Sequence, residues 1–207
     1  MAGWLIKRGS TMVEGSLFYV VGPSGSGKDS LMSYARKKLA TNPKVVFAHR
    51  YITRPANAGG ENHVALSEEE FTTRVQSSLF AMHWESHGCR YGIGSEINMW
   101  LAKGYNVVMN GSREHLPYAQ KSHPKLTPVW VEVKQEVLAE RLRARGREDE
   151  ADIRERLMRA AMYQATPGGI TIRNDGALED AGEQLVQLIA PKEALNKSFD
   201  KLRTNGV

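Results

Sequence analysis

Cysteine is almost missing from this sequence, with Cys89 the only one in 207 residues. No intrachain disulfide can form and no zinc cluster of cysteines can be built, which predicts a reducing compartment, by default the cytoplasm. Long hydrophobic runs are missing as well. No uninterrupted apolar stretch approaches the roughly 18 residues that a membrane span requires. The WLI patch at residues 4–6 is too short for the apolar region of a secretory signal, so the expectation is a soluble protein without membrane contact. The histidines at 49, 63, 83, 87, 115 and 123 match no zinc-ligand spacing, which leaves solvated or phosphate-facing roles for them. Acidic residues are the scarcer charge: 23 Asp and Glu stand against 28 Lys and Arg, a formal net charge of +5. That surplus calls for an anionic partner, and by itself leaves nucleic acid, a membrane surface and a phosphorylated metabolite open.

What is present begins with LFYVVGPSGSGKDS at residues 17–30. An apolar, β-rich run from Leu17 to Val21 feeds into a glycine-rich turn, and an amphipathic helix from Ser30 to Leu39 follows. Gly22, Gly25 and Gly27 allow the backbone to wrap a polyanion with its amide N–H groups pointing inward, and the helix N-terminus adds partial positive charge. The spacing from Gly22 to Gly27 and Lys28 fits G-x-x-x-x-G-K between the strand and helix that such a phosphate cradle needs. Gly22, Pro23, Ser24, Gly25, Ser26, Gly27, Lys28, Asp29 and Ser30 are therefore the nucleotide-phosphate residues.

The length suits one α/β domain. Residues 1–15 read as an extension, residues 16–190 as the domain and residues 191–207 as a loose polar tail. Val45–Ala48 reads as a strand, and ITRPANAGGENH (52–63) as an irregular loop punctuated by Pro55, Gly59 and Gly60. Ser67 caps a helix running to about Gln76, with acidic residues in its first turn. A strand over Phe80–Trp84 follows, after which HGCRYGIG (87–94) turns the chain into a helix over 96–103. Strands at Asn106–Met109 and Val129–Val133, a helix at Glu136–Arg145, a charged helix after Asp152, a strand at Ile170–Ile172 and a helix at Leu178–Ile189 complete the order. Strands alternating with helices predict a parallel sheet covered on both faces. Trp84, Trp100 and Trp130 sit in apolar periodic contexts and read as core. The arginines concentrate in two segments rather than along a face interleaved with aromatics, which argues against a nucleic-acid binder.

The motif order GPSGSGK (22–28), ITRP (52–55), SEEEF (67–71), HGCRYG (87–92), ERLRARG (140–146) and IRERL (153–157), with Asn174–Asp175 after the last strand, resembles the guanylate kinase branch of the nucleoside monophosphate kinases. The resemblance implies a P-loop kinase fold, an acceptor-binding insertion over about 49–92 and a short lid over about 144–158. It also departs from that branch. Met82 and the strand end Met109–Asn110–Gly111–Ser112 stand where guanine-reading carboxylates are expected, and the second arginine of the acceptor clamp is missing after Arg54. A purine edge left without partners costs roughly 1–3 kcal/mol per group, so GMP is not the expected acceptor.

GPSGSGKDSLM, RYITRP and HGCRYGI are similar instead to the ribose 1,5-bisphosphate phosphokinase family. That resemblance implies an ATP-dependent phosphotransferase that uses Mg2+, with a small phosphorylated sugar as partner. A nucleoside monophosphate kinase and a catalytically silent binding module of the same fold remain alternatives, and the oligomeric state, homodimer included, stays open. Phosphate-binding groups crowd the acceptor region: Arg50, Tyr51, Thr53, Arg54, His63, Arg90, Tyr91 and Arg113 are its candidates. Arg141, Arg145 and Arg156 are the lid arginines by motif position, and Asn174 lies on the adenine side. Asp29 replaces the Ser or Thr that usually binds Mg2+ after the P-loop lysine, so it is the expected metal ligand, its other reading being a favourable helix N-terminal acid.

Overall fold

The computed structural model describes residues 14–191 except 59, 60, 62, 147, 148 and 164, so most of the 1–15 extension, the 191–207 tail, and Gly59 and Gly60 lie outside the described residues. The central strand β1 (Leu17–Val21) is buried along its whole length. Leu17, Tyr19 and Val21 point to one face and Phe18 and Val20 to the other, the period of two that a strand imposes. The strands β7 (Asn106–Asn110) and β8 (Thr127–Glu132) pair with it in parallel, setting Tyr19 opposite Met109 and Pro128. With β2 (Val45–Phe47) and β9 (Ile170–Arg173) at the edges, the order is β2-β7-β1-β8-β9, all parallel. Central parallel strands covered on both faces read as unbroken apolar runs, which is why LFYVV and NVVM stand out along the chain.

On one face Phe18, Val20, Val108, Val131 and Ile172 pack against α1 (Lys28–Lys38) and α7 (Leu178–Ile189). Those two helices touch closely at Gly182, where a Cβ would come within 2.5 Å of the Tyr34 ring. The Tyr34 hydroxyl then donates to Glu183 at 2.6 Å. On the other face the cover is only partly helical. Besides α3 (Glu96–Ala102) and α4 (Leu116–Ser122), a second sheet contributes Met82, Trp84 and Ile93 to the core. That sheet, β4-β3-β6-β5, is built from β3 (Arg50–Ile52), β4 (Val64–Ala65), β5 (Phe80–Ser86) and β6 (Cys89–Gly94).

The 52–63 segment is irregular over its described residues, as expected, except that Ile52 is the fully buried last residue of β3, and β4 follows the segment. One expectation is corrected. HGCRYGIG does not turn directly into a helix: His87 and Gly88 take positive φ, 51° and 70°, in a two-residue hairpin turn, and Cys89–Gly94 returns antiparallel to β5. Glycines disguised that strand. At Gly92 the missing side chain leaves room for the Phe80 ring, 2.6 Å from where a Cβ would stand.

The helix α2 (Glu68–Gln76) is capped as expected, Ser67 Oγ accepting from the Glu70 amide at 3.1 Å. The helix α5 (Gln135–Arg145) stops at Gly146, in the left-handed region at φ 62°. The helix α6 (Glu150–Ala161) begins earlier than Asp152, because the Asp149 carboxylate accepts from the amides of Ala151 and Asp152, both at 2.8 Å. Among the described residues no helix is long and apolar enough to cross a membrane.

Candidate active site

The glycine-rich turn lies at the C-terminal end of β1, and α1 starts from it with Gly27 at φ 81° as its N-cap. A side chain there would be strained, and its Cβ would fall 2.5 Å from Asn174 Nδ2. Asn174, 3% exposed at the end of β9, donates from Nδ2 to the Ser26 carbonyl at 2.7 Å and so anchors the turn from across the sheet. Lys28 has a side chain only 14% exposed. Burial pulls its pKa below the ordinary lysine value, opposed by the attraction of Asp29, 4.0 Å away.

A cavity of about 440 Å³ opens over this turn. The turn and α1 contribute Gly22, Pro23, Ser24, Gly25, Gly27, Lys28, Asp29 and Ser30; β3 and the following residues contribute Arg50 and Arg54; the β5–β6 hairpin contributes Trp84, His87 and Tyr91. The end of β7 supplies Asn110 and the segment after it Arg113, and α5 and α6 supply Arg145, Arg156 and Arg159. Tyr19 holds the segment after β7 from below: its hydroxyl accepts from the Ser112 amide at 3.0 Å and donates to the Ser112 carbonyl at 3.1 Å. Burial pushes that phenol up to about 12, against the lowering effects of the Ser112 bond and of Arg50.

Arg50, on β3 upstream of Arg54, brings a second guanidinium to the same wall of the cavity. Its guanidinium stacks 5.1 Å over the Tyr91 ring and forms a two-pronged ion pair with Glu61, which Arg54 also approaches at 3.7 Å. Tyr91 is stacked on Trp84 at 5.5 Å, Trp84 on His115 at 5.1 Å, and His115 on Tyr118 at 5.6 Å. Trp84 is core, as its context predicts, and its edge also walls the cavity. On the opposite side α6 lies across the turn: Arg156 donates to Ser24 Oγ at 2.9 Å, and Arg159 to His87 Nε2 at 2.7 Å. An Nε2 that accepts leaves the proton on Nδ1, which lies 2.7 Å from Ser86 Oγ.

Arg141 and Asn174 are outside this cavity. They line a neighbouring hollow of about 380 Å³ with Gly176 and Leu178, and Gly25, Gly27, Ser30 and Arg145 border both. Four other candidates have packing roles. Arg90 lies 4.4 Å over the Phe71 ring, donates to Thr72 at 2.7 Å and pairs with Glu68 and Glu85. Thr53 Oγ1 accepts from the Arg90 amide, Tyr51 lies under Arg74, and both ring nitrogens of buried His63 face backbone carbonyls, those of Glu61 and Arg54. For Tyr51 on β3 and Arg90 on β6 the strand alternation turns the side chain away from the face of Arg50 and Tyr91, while Thr53 and His63 lie in the loop between β3 and β4.

Three residues in or beside the cavity are not singled out by the sequence: Asn110 and Arg159, which line it, and Glu61, which borders the adjoining hollow. Glu61 stands in a loop without periodicity, and Arg159 in a charged run that reads as a solvated face. Asn110 donates to Asp29 Oδ1 at 2.8 Å and keeps a buried Oδ1 without a partner among the described residues. Asp29, half-exposed, and that orphan oxygen are hard oxygen donors at the phosphate end of the cavity, a set that fits Mg2+.

Residues 19–160 match the family model described as AAA domain. A ribose 1,5-bisphosphate phosphokinase of Thiobacillus denitrificans is 60% identical over 91% of this chain and all of its own length. Proteins of the same name from Desulfomicrobium baculatum and Pantoea vagans are each 55% identical over 84% of this chain, covering 93% and 96% of theirs. The crystal structure of guanylate kinase from Anaplasma phagocytophilum superposes with a TM-score of 0.61 at 16% identity, over 86% of this chain and 85% of that one, a likeness of fold. With this P-loop kinase architecture and identity running through nearly the whole length of its relatives, the chain belongs to the ribose 1,5-bisphosphate phosphokinase family.

Proposed function

We infer that the protein transfers the terminal phosphoryl group of ATP to the 1-phosphate of ribose 1,5-bisphosphate, giving 5-phosphoribosyl 1-diphosphate (PRPP) and ADP. The observation that carries this reading is one cavity with a phosphate cradle at its floor and two separate arginine groups at its walls, Arg50 with Arg54 and Arg113 with Arg156 and Arg159. A sugar carrying two phosphates needs two cationic sites, whereas a nucleotide needs one and an edge that reads a base. The positions expected to read a purine hold Met82, buried in the core, and the strand end Met109–Asn110–Gly111–Ser112, and none of them is a carboxylate.

An oxygen of the 1-phosphate forms the new bond to the γ-phosphorus of ATP while the bond from that phosphorus to the β–γ bridging oxygen breaks, and ADP leaves with the electron pair. The attacking oxygen is already anionic at neutral pH, so no side chain has to remove a proton. Alignment and charge neutralisation remain. In this reading the turn amides and Lys28 hold the β and γ phosphates, Arg50, Arg54 and Tyr91 hold the acceptor, and Arg145 and Arg156 face the phosphoryl group in transit. Arg141 and Asn174 border the hollow for the adenosine. Bound Mg2+ would neutralise phosphate charge, held by Asp29 and by Asn110 Oδ1 directly or through water. A cytoplasmic phosphosugar, rather than nucleic acid or a membrane, is the anion that the basic surface meets.

The test is phosphorus NMR of the protein with Mg·ATP and, separately, ribose 1,5-bisphosphate, GMP and gluconate. New diphosphate resonances of PRPP with the bisphosphate alone are expected; ready phosphorylation of GMP with the bisphosphate untouched overturns the reading.

A further inference from the structure

Arg50 and Arg54 line the cavity, and both already face a carboxylate, Glu61, that borders an adjoining hollow of about 90 Å³ with Asp29 and Asn110. Glu61 accepts from Nε and Nη2 of Arg50, stands 3.7 Å from Nη2 of Arg54, and is only 12% exposed. A carboxylate gripped in a fork by one guanidinium and shared with a second makes the contacts that a phosphate makes. The grip is incomplete. Arg54 Nε is buried with no hydrogen-bond partner among the described residues, a donor that the Glu61 carboxylate leaves unused. On its far side Glu61 has a second place to go: its Oε1 lies 3.4 Å from Asn110 Nδ2, the amide that also holds Asp29.

We propose that Glu61 is an internal anion that fills the acceptor-phosphate seat of the empty enzyme and is displaced by the acceptor, its carboxylate turning from Arg50 and Arg54 toward the Asn110 amide. This rests on the reading of Arg50 and Arg54 as the acceptor clamp. Two partly buried guanidiniums side by side without a counter-charge would be costly, and Glu61 neutralises them until the substrate arrives. The exchange makes Glu61 a specificity determinant. An incoming group must outcompete a monovalent carboxylate already in place; a dianionic phosphate can do so through its extra charge and third oxygen, while a hydroxyl or a monoanion cannot. Occupation by Glu61 lowers the apparent acceptor affinity by the fraction of molecules in which the seat is open.

The neutral isostere Glu61→Gln tests this by the sign of its effect. Inorganic phosphate and ribose 1,5-bisphosphate are titrated calorimetrically into the full-length protein, wild type and variant, each loaded with Mg2+ and a non-hydrolysable ATP analogue. The variant is expected to bind both anions about tenfold or more tightly, since the seat is then always open. Its acceptor KM should fall by a larger factor than any change in kcat. A glutamate that merely holds the arginines in place gives the opposite sign, so weaker or unchanged binding overturns the proposal. Should the variant fail to bind the ATP analogue, a crystal structure of the wild type with phosphate bound decides. Phosphate oxygens on Arg50 Nη2 with Glu61 displaced support the proposal, and Glu61 still forked to Arg50 beside a bound phosphate sinks it. A wild type that binds inorganic phosphate and ignores ribose 1,5-bisphosphate would refute the acceptor assignment instead, and the sign with inorganic phosphate still reads out Glu61.

Discussion

Asn110 ties the end of β7 to the first turn of α1 through its 2.8 Å bond to Asp29. The strand end where a P-loop enzyme ordinarily offers an acid offers an amide here, and the acid has moved to the residue after the P-loop lysine. One negative charge is kept beside the glycine-rich turn, supplied by a different element.

Asp29→Ala should therefore raise the Mg2+ concentration needed for half-maximal activity roughly 10–100-fold, the range seen when a metal's oxygen environment is disturbed. Manganese binding to the ADP-loaded protein, followed by electron paramagnetic resonance, should weaken in parallel. An unaltered metal requirement would show that Asp29 serves only as a helix N-terminal acid.

Lys28→Ala should lower turnover about 10³-fold or more, as losses of a cation from a phosphoryl-transfer site do. The melting temperature should not fall. Burial disfavours the charged form of Lys28, so in the free protein its protonation opposes folding at neutral pH, and that cost fades as pH rises through the lowered folded pKa toward the ordinary 10.5. In the native enzyme, ATP affinity should decline on the alkaline side with a midpoint below 10.5, read by nucleotide titration at several pH values.

Arg156 and Arg90 provide a contrasting pair. Arg156 reaches the turn at Ser24, and its replacement by Ala should lower kcat about 10²-fold with little change in melting temperature. Arg90 braces α2 against the β5–β6 hairpin, and Arg90→Ala should cost about 1–2 kcal/mol of stability, measured by urea unfolding, while kcat is retained. A catalytic defect without a stability loss in Arg90→Ala would return that residue to the active site.

Burial holds the pKa values of His49, His115 and His123 below the ordinary 6.5. The unfolded chain therefore binds more protons than the folded one below about pH 6.5, and stability is expected to be full above that value and to decline on acidification through it. His115→Phe, which keeps an aromatic ring between Trp84 and Tyr118, should remove part of the decline between about pH 7 and pH 5 in thermal melts. An unchanged slope would exclude His115 as a contributor.

The phosphate turn, α2 with its Ser67 cap, and α7 are legible in the sequence because their signals are local. Glycine spacing, a capping hydroxyl and an apolar stripe all act within a few residues of one another. The strand β6 is not legible, since Gly92 and Gly94 blank out its alternation and its partner Phe80 is distant in sequence. The same holds for Arg90 and Thr53. Their chemistry suits a phosphate, and only the folded arrangement shows Thr53 Oγ1 taken by the Arg90 amide and the Arg90 guanidinium by Thr72 and the Phe71 ring.

The parallel α/β core and the glycine-rich turn with Lys28 can be read along the chain, because backbone sterics, side-chain period and residue chemistry are written there residue by residue. Which arginines face the cavity is settled only by the folded arrangement, as is the pairing of Arg50 from β3 with Arg54 as a second guanidinium and the place of Glu61 between them. Those relationships depend on strand register and on charges far apart in the chain finding partners away from water, and no spacing within a segment encodes them.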